Sequence, residues 1–208
     1  MRIFLIRHGE SSFNKAEKHQ DERARLSKTG IRQAEQVSEK LLQFKTDIVI
    51  SSQHKRAAQT AAMISNKLAL DLVYSDLLNE RKNPSAIIGK KIKDRSAIKI
   101  RREQEKHIMD PEWHYSDEEN FFDFKKRTIS AVKYFESLDY ENIVAVTHSH
   151  MIRSILGVMA FGDAFIPHHF NILKGFVHLE NTGITICGKK DGKWELLTLN
   201  DYAHISPY

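Results

Sequence analysis

Four short runs of consecutive apolar residues constrain this chain more than any other feature: residues 2–6 (RIFLI), 47–50 (DIVI), 71–74 (DLVY) and 143–146 (IVAV). They are rich in β-branched residues and continuous rather than alternating, the pattern of strands covered on both faces in a parallel sheet. Between them, apolar residues recur at helical spacing. Ile31, Ala34, Val37, Leu41 and Phe44 form one set; Ala57, Ala61, Ile64 and Leu68 form a second. Phe121, Phe124, Ala131, Val132, Phe135 and Leu138 form a third, and Ile152, Ile155, Leu156 and Met159 a fourth. Strands alternating with helices predict an α/β fold, here a three-layer α/β/α sandwich around a mostly parallel central sheet. The C-terminal part differs. FVHLEN, ITICG and KWELLTL, separated by Thr182-Gly183 and Lys190-Asp191-Gly192, read as a meander at the sheet edge. Residues 81–120 contain no clean strand and read as a helical insertion. With no internal repeat and no linker, residues 1–208 are expected to form a single domain.

A chain of 208 residues can bury a core without disulfides or metals. Its single cysteine, Cys187, can neither close an intramolecular disulfide nor build a cysteine-based zinc site, which favours a reducing, cytoplasmic compartment. No apolar run approaches the ~18 residues of a membrane span. The opening MRIFLIRHGE turns charged too early for a secretory core of ~7–15 apolar residues. The formal net charge of +5 is unevenly spread: residues 81–107 carry +7 and residues 110–123 carry −6. A basic run of this density can meet a polyanion. The adjacent acids, and the lack of aromatic stacking residues in 81–107, favour two compensating solvated faces over a nucleic-acid surface.

The chemistry gathers at strand ends. Arg7-His8-Gly9-Glu10-Ser11 follows the first run directly, and ligands of open α/β sheets bind outside the carboxyl ends of the strands. Gly9 allows a sharp turn and close approach to a ligand. His148 follows IVAV in the same way, and Arg56 comes shortly after DIVI and Ser51-Ser52. Two arginines and two histidines converging on one edge make an anion site, because the guanidinium fork matches phosphate oxygens bidentately.

These residues resemble the histidine phosphatase superfamily, also called the phosphoglycerate mutase-like family. Arg7-His8-Gly9-Glu10 with Asn14 is similar to its opening RHGE-[ST]-x-x-N, and Leu26-Ser27-x-x-Gly30-x-x-Gln33-Ala34 to its LT-x-x-G-x-x-QA. Ser51-Ser52-x-x-x-Arg56-Ala57-x-x-Thr60-Ala61 is similar to SS-x-x-x-RA-x-x-TA; Leu78-Asn79-Glu80 and Val146-Thr147-His148 stand where the family has its acidic residue and second histidine. The resemblance implies hydrolysis of small phosphomonoesters without metal or other cofactor. His8 would take the phosphoryl group, Glu80 would act as general acid and then base, and His148 would complete the catalytic set. Arg7, Arg56, Asn14 and Ser149 would hold the phosphate. For its role Glu80 is expected to have a raised pKa, and His8 to be neutral with its far nitrogen on a carbonyl. Departures are Ser149-His150, where the family often has glycine, and Asp21 after Gln20, where a glycine is common. Glu10 reads as structural.

Two other readings use the same residues. A phosphoglycerate mutase would carry Arg-His-Tyr-Gly after the acidic residue, but Arg81-Lys82-Asn83-Pro84-Ser85 follows Glu80 here. A non-catalytic phosphate- or RNA-binding module would have no use for both histidines, both arginines and Glu80 together. The segment 81–120, directly after Glu80, is expected to cap the site and select substrates, with Lys90, Lys91 and Lys93 as candidate contacts.

Overall fold

The computed structural model describes residues 1–205. Six strands, β1 (Arg2–Arg7), β2 (Ile48–Ser51), β3 (Leu72–Tyr74), β4 (Asn142–Thr147), β5 (Ile184–Lys190) and β6 (Lys193–Asp201), form one sheet in the order β3-β2-β4-β1-β5-β6. The first four are parallel; β5 runs antiparallel to β1 and β6 antiparallel to β5. Seven α-helices accompany them: α1 (Ser12–Lys15), α2 (Lys28–Leu41), α3 (Lys55–Leu68), α4 (Arg95–Lys106), α5 (Phe121–Ser137), α6 (Ser149–Phe161) and α7 (Pro167–Phe176).

The continuous apolar runs are explained by burial on both faces. Along β1, Phe4 and Ile6 pack with Val37, Leu41, Ala57, Ala61 and Ile64 of α2 and α3. Ile3 and Leu5 point the other way, into a core shared with Phe124, Phe135, Ile152 and Ile155 of α5 and α6. The sandwich therefore has three layers, with the strands' carboxyl ends at one edge. Local signals start the helices where the chain needs them. Ser27 accepts the Gly30 amide at the head of α2, and Asn120 forms a reciprocal capping box with Asp123 at the head of α5.

Two expectations need correction. The C-terminal meander is a two-stranded hairpin, because residues 176–181 (FVHLEN) form no strand. Their carbonyls serve arginines instead: Leu179 O accepts from Arg7 and Val177 O from Arg153. The histidine-bearing stretch around His168-His169 opens α7, which begins on Pro167 at its first turn and buries Phe170. Within 81–120, α4 and a short 3-10 turn share a small core of Ile87, Ala97 and Ile100. The acidic block does not line up along α4. Asp117 and Glu119 fold back to accept the amides of Ser85 and Lys82.

Gly30 and Gly9 bring two backbones together. A Cβ on Gly30 would overlap the Glu10 carbonyl oxygen, and one on Gly9 would overlap the carbonyl of Gly30. Rigid backbone on both sides leaves no side chain to move. Gly30→Ala is therefore expected to cost about 2–3 kcal/mol, the upper part of the overpacking range. In thermal unfolding this should lower Tm by roughly 5–10 °C for a chain of this size.

Candidate active site

Parallel pairing sets the site's geometry. Arg7 of β1 is in register with Thr147 of β4, and Ser51 of β2 with Val146, so the residues that follow emerge side by side. His8 donates its backbone N–H to Thr147 O at 3.0 Å, and its carbonyl accepts from Asn181 Nδ2 at 2.7 Å. The Gly9 amide donates to Thr60 Oγ1 at 3.1 Å. Thr60 in turn donates to Arg56 O, so the Arg-Ala-x-x-Thr spacing ties one helical turn of α3 to the histidine loop. Glu10 is held by Gln33 Oε1 on its amide and Ser27 Oγ on its carboxylate, which gives it a scaffolding place.

Arg56 joins the two histidines. Its Nε–H donates to His8 Nε2 at 3.0 Å, its Nη2 reaches His148 Nδ1 at 3.1 Å, and its Nη1 donates to the Asp21 carbonyl at 2.7 Å. A guanidinium can only donate, so both facing imidazole nitrogens carry lone pairs. The far nitrogens must then hold the protons. His8 Nδ1 donates to Gly9 O at 2.7 Å, and His148 Nε2 to Ser52 Oγ at 2.8 Å, which passes on to Asn79 Oδ1 at 2.8 Å. Both rings are fully neutral in this network. Burial, then the charges of Arg56 and Arg7, drive the His8 pKa well below its usual value; burial, Arg56 and His8 do the same to His148. Arg56 itself is pushed down to about 10, first by burial. Asp21, where a glycine is common in the family, gives its backbone carbonyl to Arg56, while its carboxylate accepts the amides of Arg23 and Ala24 and so shapes the loop.

Arg7 is largely buried and lines the cavity, with Nη1 on Leu179 O at 2.5 Å and its buried Nε unpartnered. Asn14 and Ser149 also line it. The Asn14 carbonyl oxygen accepts from Ser11 in the capping box of α1, so only its amide end could serve a ligand.

Glu80 departs from expectation. Burial pushes its carboxyl up, but His150, the Arg81 amide and Arg56 outweigh that and hold it far below the ordinary carboxylate range. One oxygen lies 3.5 Å from His150 Nδ1 and 3.3 Å from the His150 amide, in the first turn of α6, where the helix dipole favours an anion. The groups that bear most on its carboxylate therefore favour the anion over the neutral acid. Its loop is stapled by Arg127, which donates to the carbonyls of Leu77, Asn79 and Glu80 and pairs with Glu119 at 2.7 Å. Arg127, Asn181, His54 and the His150–Glu80 contact were not foreseen. His148 and His150 serve different partners, and among the described residues no three His, Cys, Asp or Glu side chains gather as metal ligands.

His54 packs edge-on against His148 at 5.0 Å, and its pKa is pushed down to about 4, first by burial and then by Arg56. Between about pH 4 and 6.5 the unfolded chain binds a proton at this position that the native chain refuses, so stability rises with pH across that window. The expected loss on acidification is up to about 1.4 kcal/mol per pH unit for each such histidine. Melting temperatures measured from pH 6.5 down to 4.5 should fall, and fall less steeply in His54→Gln. A parallel decline in both proteins would exclude His54 as a source.

The histidine phosphatase superfamily (branch 1) profile matches residues 3–202. A provisionally named phosphoserine phosphatase 2 of Hydrogenobacter thermophilus is 27% identical over 206 residues, covering 98% of this chain and 97% of its own. The phosphatase PhoE of Bacillus subtilis, itself uncharacterised, is 25% identical over 99% of this chain and 97% of its own. The fold is similar to that of a mutant phosphoserine phosphatase from Entamoeba histolytica in complex with phosphoserine, with a TM-score of 0.77, 21% identity and 99% of each chain covered. A profile match from the first strand into the last turn, on a chain whose two strand-end histidines share one arginine, makes this protein a member of the histidine phosphatase superfamily.

Proposed function

We propose that the protein hydrolyses small phosphomonoesters through a covalent phosphohistidine on His8. The observation that carries this reading is the fixed tautomer of His8. With Nδ1–H committed to Gly9 O, Nε2 carries the lone pair; it accepts from Arg56 Nε–H at rest and is freed for attack when that guanidinium turns its donors to the phosphate oxygens. Arg56 and Arg7 would take the equatorial phosphate oxygens, with His148, Asn14 and Ser149 completing the cradle. The Nε2–P bond forms as the ester P–O bond breaks, and the leaving alkoxide takes a proton from Glu80. Glu80, now a carboxylate, then accepts a proton from water, whose oxygen attacks phosphorus and breaks the P–N bond.

Glu80 needs a proton for the first step, yet it rests ionised. The His150–Glu80 pair supports a source for it: His150 Nδ1, 3.5 Å from the carboxylate, can relay a proton to it, and a phosphate dianion entering the cavity raises the carboxylate's affinity for that proton. Hydrolysis is favoured over mutase-type transfer because the Arg-His-Tyr-Gly stretch is replaced by Arg81-Lys82-Asn83-Pro84-Ser85.

Turnover of an aryl phosphate is expected to persist in EDTA and vanish in His8→Ala. Rapid quenching in alkaline denaturant with labelled substrate should trap an acid-labile, alkali-stable adduct in the wild type alone. An active His8→Ala protein would refute the assignment. His150→Gln should move the alkaline limb of kcat/KM for an alkyl ester to lower pH by about one unit or more, because Glu80 must then supply its proton unaided. The same limb for an activated aryl ester, whose leaving group needs no acid, should stay in place. A uniform rate loss for both esters, without a shift, would mark His150 as merely structural.

A further inference from the structure

The cavity above His8 has a volume of about 1170 Å³, far more than one phosphoryl group fills. Its floor is the histidine–arginine network. Its outer part is built by elements that the phosphate cradle does not use. There α4 meets α7, where Asn171 Nδ2 donates to Glu105 Oε1 at 3.1 Å. Arg101 lies one turn before Glu105 on α4, and Lys174 one turn after Asn171 on α7, so both flank this seam, and both line the cavity. A third wall is the loop through His19, whose backbone pairs with Gly89 and Lys90 while Ile92 pairs with Glu17. Arg101 donates to the Ile92 carbonyl, which fixes it next to this loop. His19 has a buried Nε2 with no partner. Arg81, beside Glu80, gives its Nε–H to the Glu119 carbonyl rather than to a carboxylate.

Carboxylates offset these cations only at a distance: Glu119, Glu118, Glu80 and Asp123 act on Arg81, and Glu105 on Lys174. Among the described residues, none of Arg81, Arg101 or Lys174 has a carboxylate oxygen within ion-pair distance. Lys174 is exposed overall, yet desolvation of its ammonium depresses it; Glu105 opposes the depression, while Arg81, Arg101 and Arg153 deepen it. Like charges crowded in a partly desolvated space repel one another, and an incoming anion removes that cost. The lysines first considered for substrate choice, Lys90, Lys91 and Lys93, do not line the cavity, and Lys90 Nζ donates to Ser96 Oγ at 2.7 Å.

We propose that Arg81, Arg101, Lys174 and His19 form a second anion subsite, so that the substrate is a phosphomonoester bearing a further phosphate or carboxylate. The inference rests on the phosphatase reading for turnover, but not for binding. Segment 81–120 then selects substrates through Arg81 and Arg101.

The test uses the whole protein and three ligand series: alkyl phosphates, ω-phosphooxy carboxylates, and diol bisphosphates, each with short and long spacers. The wild type should favour the two-anion esters over alkyl phosphates by about 10- to 100-fold in kcat/KM at some spacer length, the scale of one or two charge-assisted contacts. Arg101→Gln and Lys174→Gln should each lower that ratio by about tenfold or more, and Arg101→Glu further. Which two-anion series responds identifies the second group as phosphate or carboxylate. A flat preference across all spacers, or ratios unmoved by the substitutions, overturns the subsite. Calorimetry with the same compounds separates the two claims. Tighter binding of two-anion ligands, lost in Arg101→Gln, without turnover by the wild type, would sink the hydrolase reading and keep the subsite. Equal binding of one- and two-anion ligands would sink the subsite alone.

Discussion

A buried guanidinium that leans on two neutral imidazoles, rather than on a carboxylate, governs the arrangement of this molecule. Arg56 spends its Nε–H on His8, one terminal nitrogen on His148 and the other on the Asp21 carbonyl. Burying a cation without a paired anion is unfavourable unless every donor is satisfied, and here the satisfying groups are lone pairs. This choice has two consequences. Because each acceptor lone pair faces Arg56, each ring's proton is forced to its far side, which fixes both tautomers. Because no carboxylate lies within ion-pair distance of Arg56, and Glu80 and Asp21 offset its charge only from farther away, part of its positive field remains for whatever anion enters. A carboxylate partner would have bound the arginine more tightly and removed that field.

The scaffold holds this contact from three directions, and the sequence motifs divide accordingly. The Arg-Ala-x-x-Thr spacing was legible because one helical turn separates Arg56 from Thr60, and Thr60 fixes the Gly9 amide. The Leu26–Gln33 segment was legible as a motif, but its purpose was not. It clamps Glu10 and lays Gly30 against the Gly9–Glu10 backbone. The strands and the four helices of strong periodicity were readable because two-sided burial leaves continuous apolar runs and single-sided burial leaves stripes. The strand ends then located His8, His148 and Arg56. What stayed hidden depends on partners far away in sequence. Residues 176–181 have the composition of a strand, yet they serve as carbonyl acceptors for Arg7 and Arg153, and no local pattern announces that use. Arg127 looks like any solvated helical arginine until its reach to the carbonyls of the loop 77–80 is seen. α7 mixes histidines with its apolar residues, which blurs the stripe.

Glu80 was expected to carry a raised pKa, and its surroundings lower it instead. The proposed role calls for a protonated acid, while Arg7, Arg56, Arg127 and the head of α6 around it favour the anion. The two are reconciled if a neighbour relays the proton and the substrate's own charge triggers its transfer. His150 occupies the place for such a relay, and it is there because the position after Ser149 holds a histidine rather than the glycine common in the family.

The charge pattern of 81–123 follows the same logic of selective cancellation. Read along the chain, +7 followed by −6 suggests wholesale neutralisation. In space the acids are used locally: Asp117 on Lys82 and the Ser85 amide, Glu119 on Arg127 and the Lys82 amide, and Glu118 on the amides of Tyr115 and Ser116. The Asp117 and Glu118 contacts close the insertion on itself and the Glu119–Arg127 pair ties it to α5, so these three acids are used in shaping and anchoring the insertion. Arg101 and Lys174 are left facing the cavity from two helices joined through Glu105 and Asn171. Cations therefore stand both at the floor of the cavity, in Arg7 and Arg56, and farther out, in Arg101 and Lys174, among acids that also line it. Cations spaced in this way draw in an anion and then hold it at more than one point, which a uniformly compensated surface would not do.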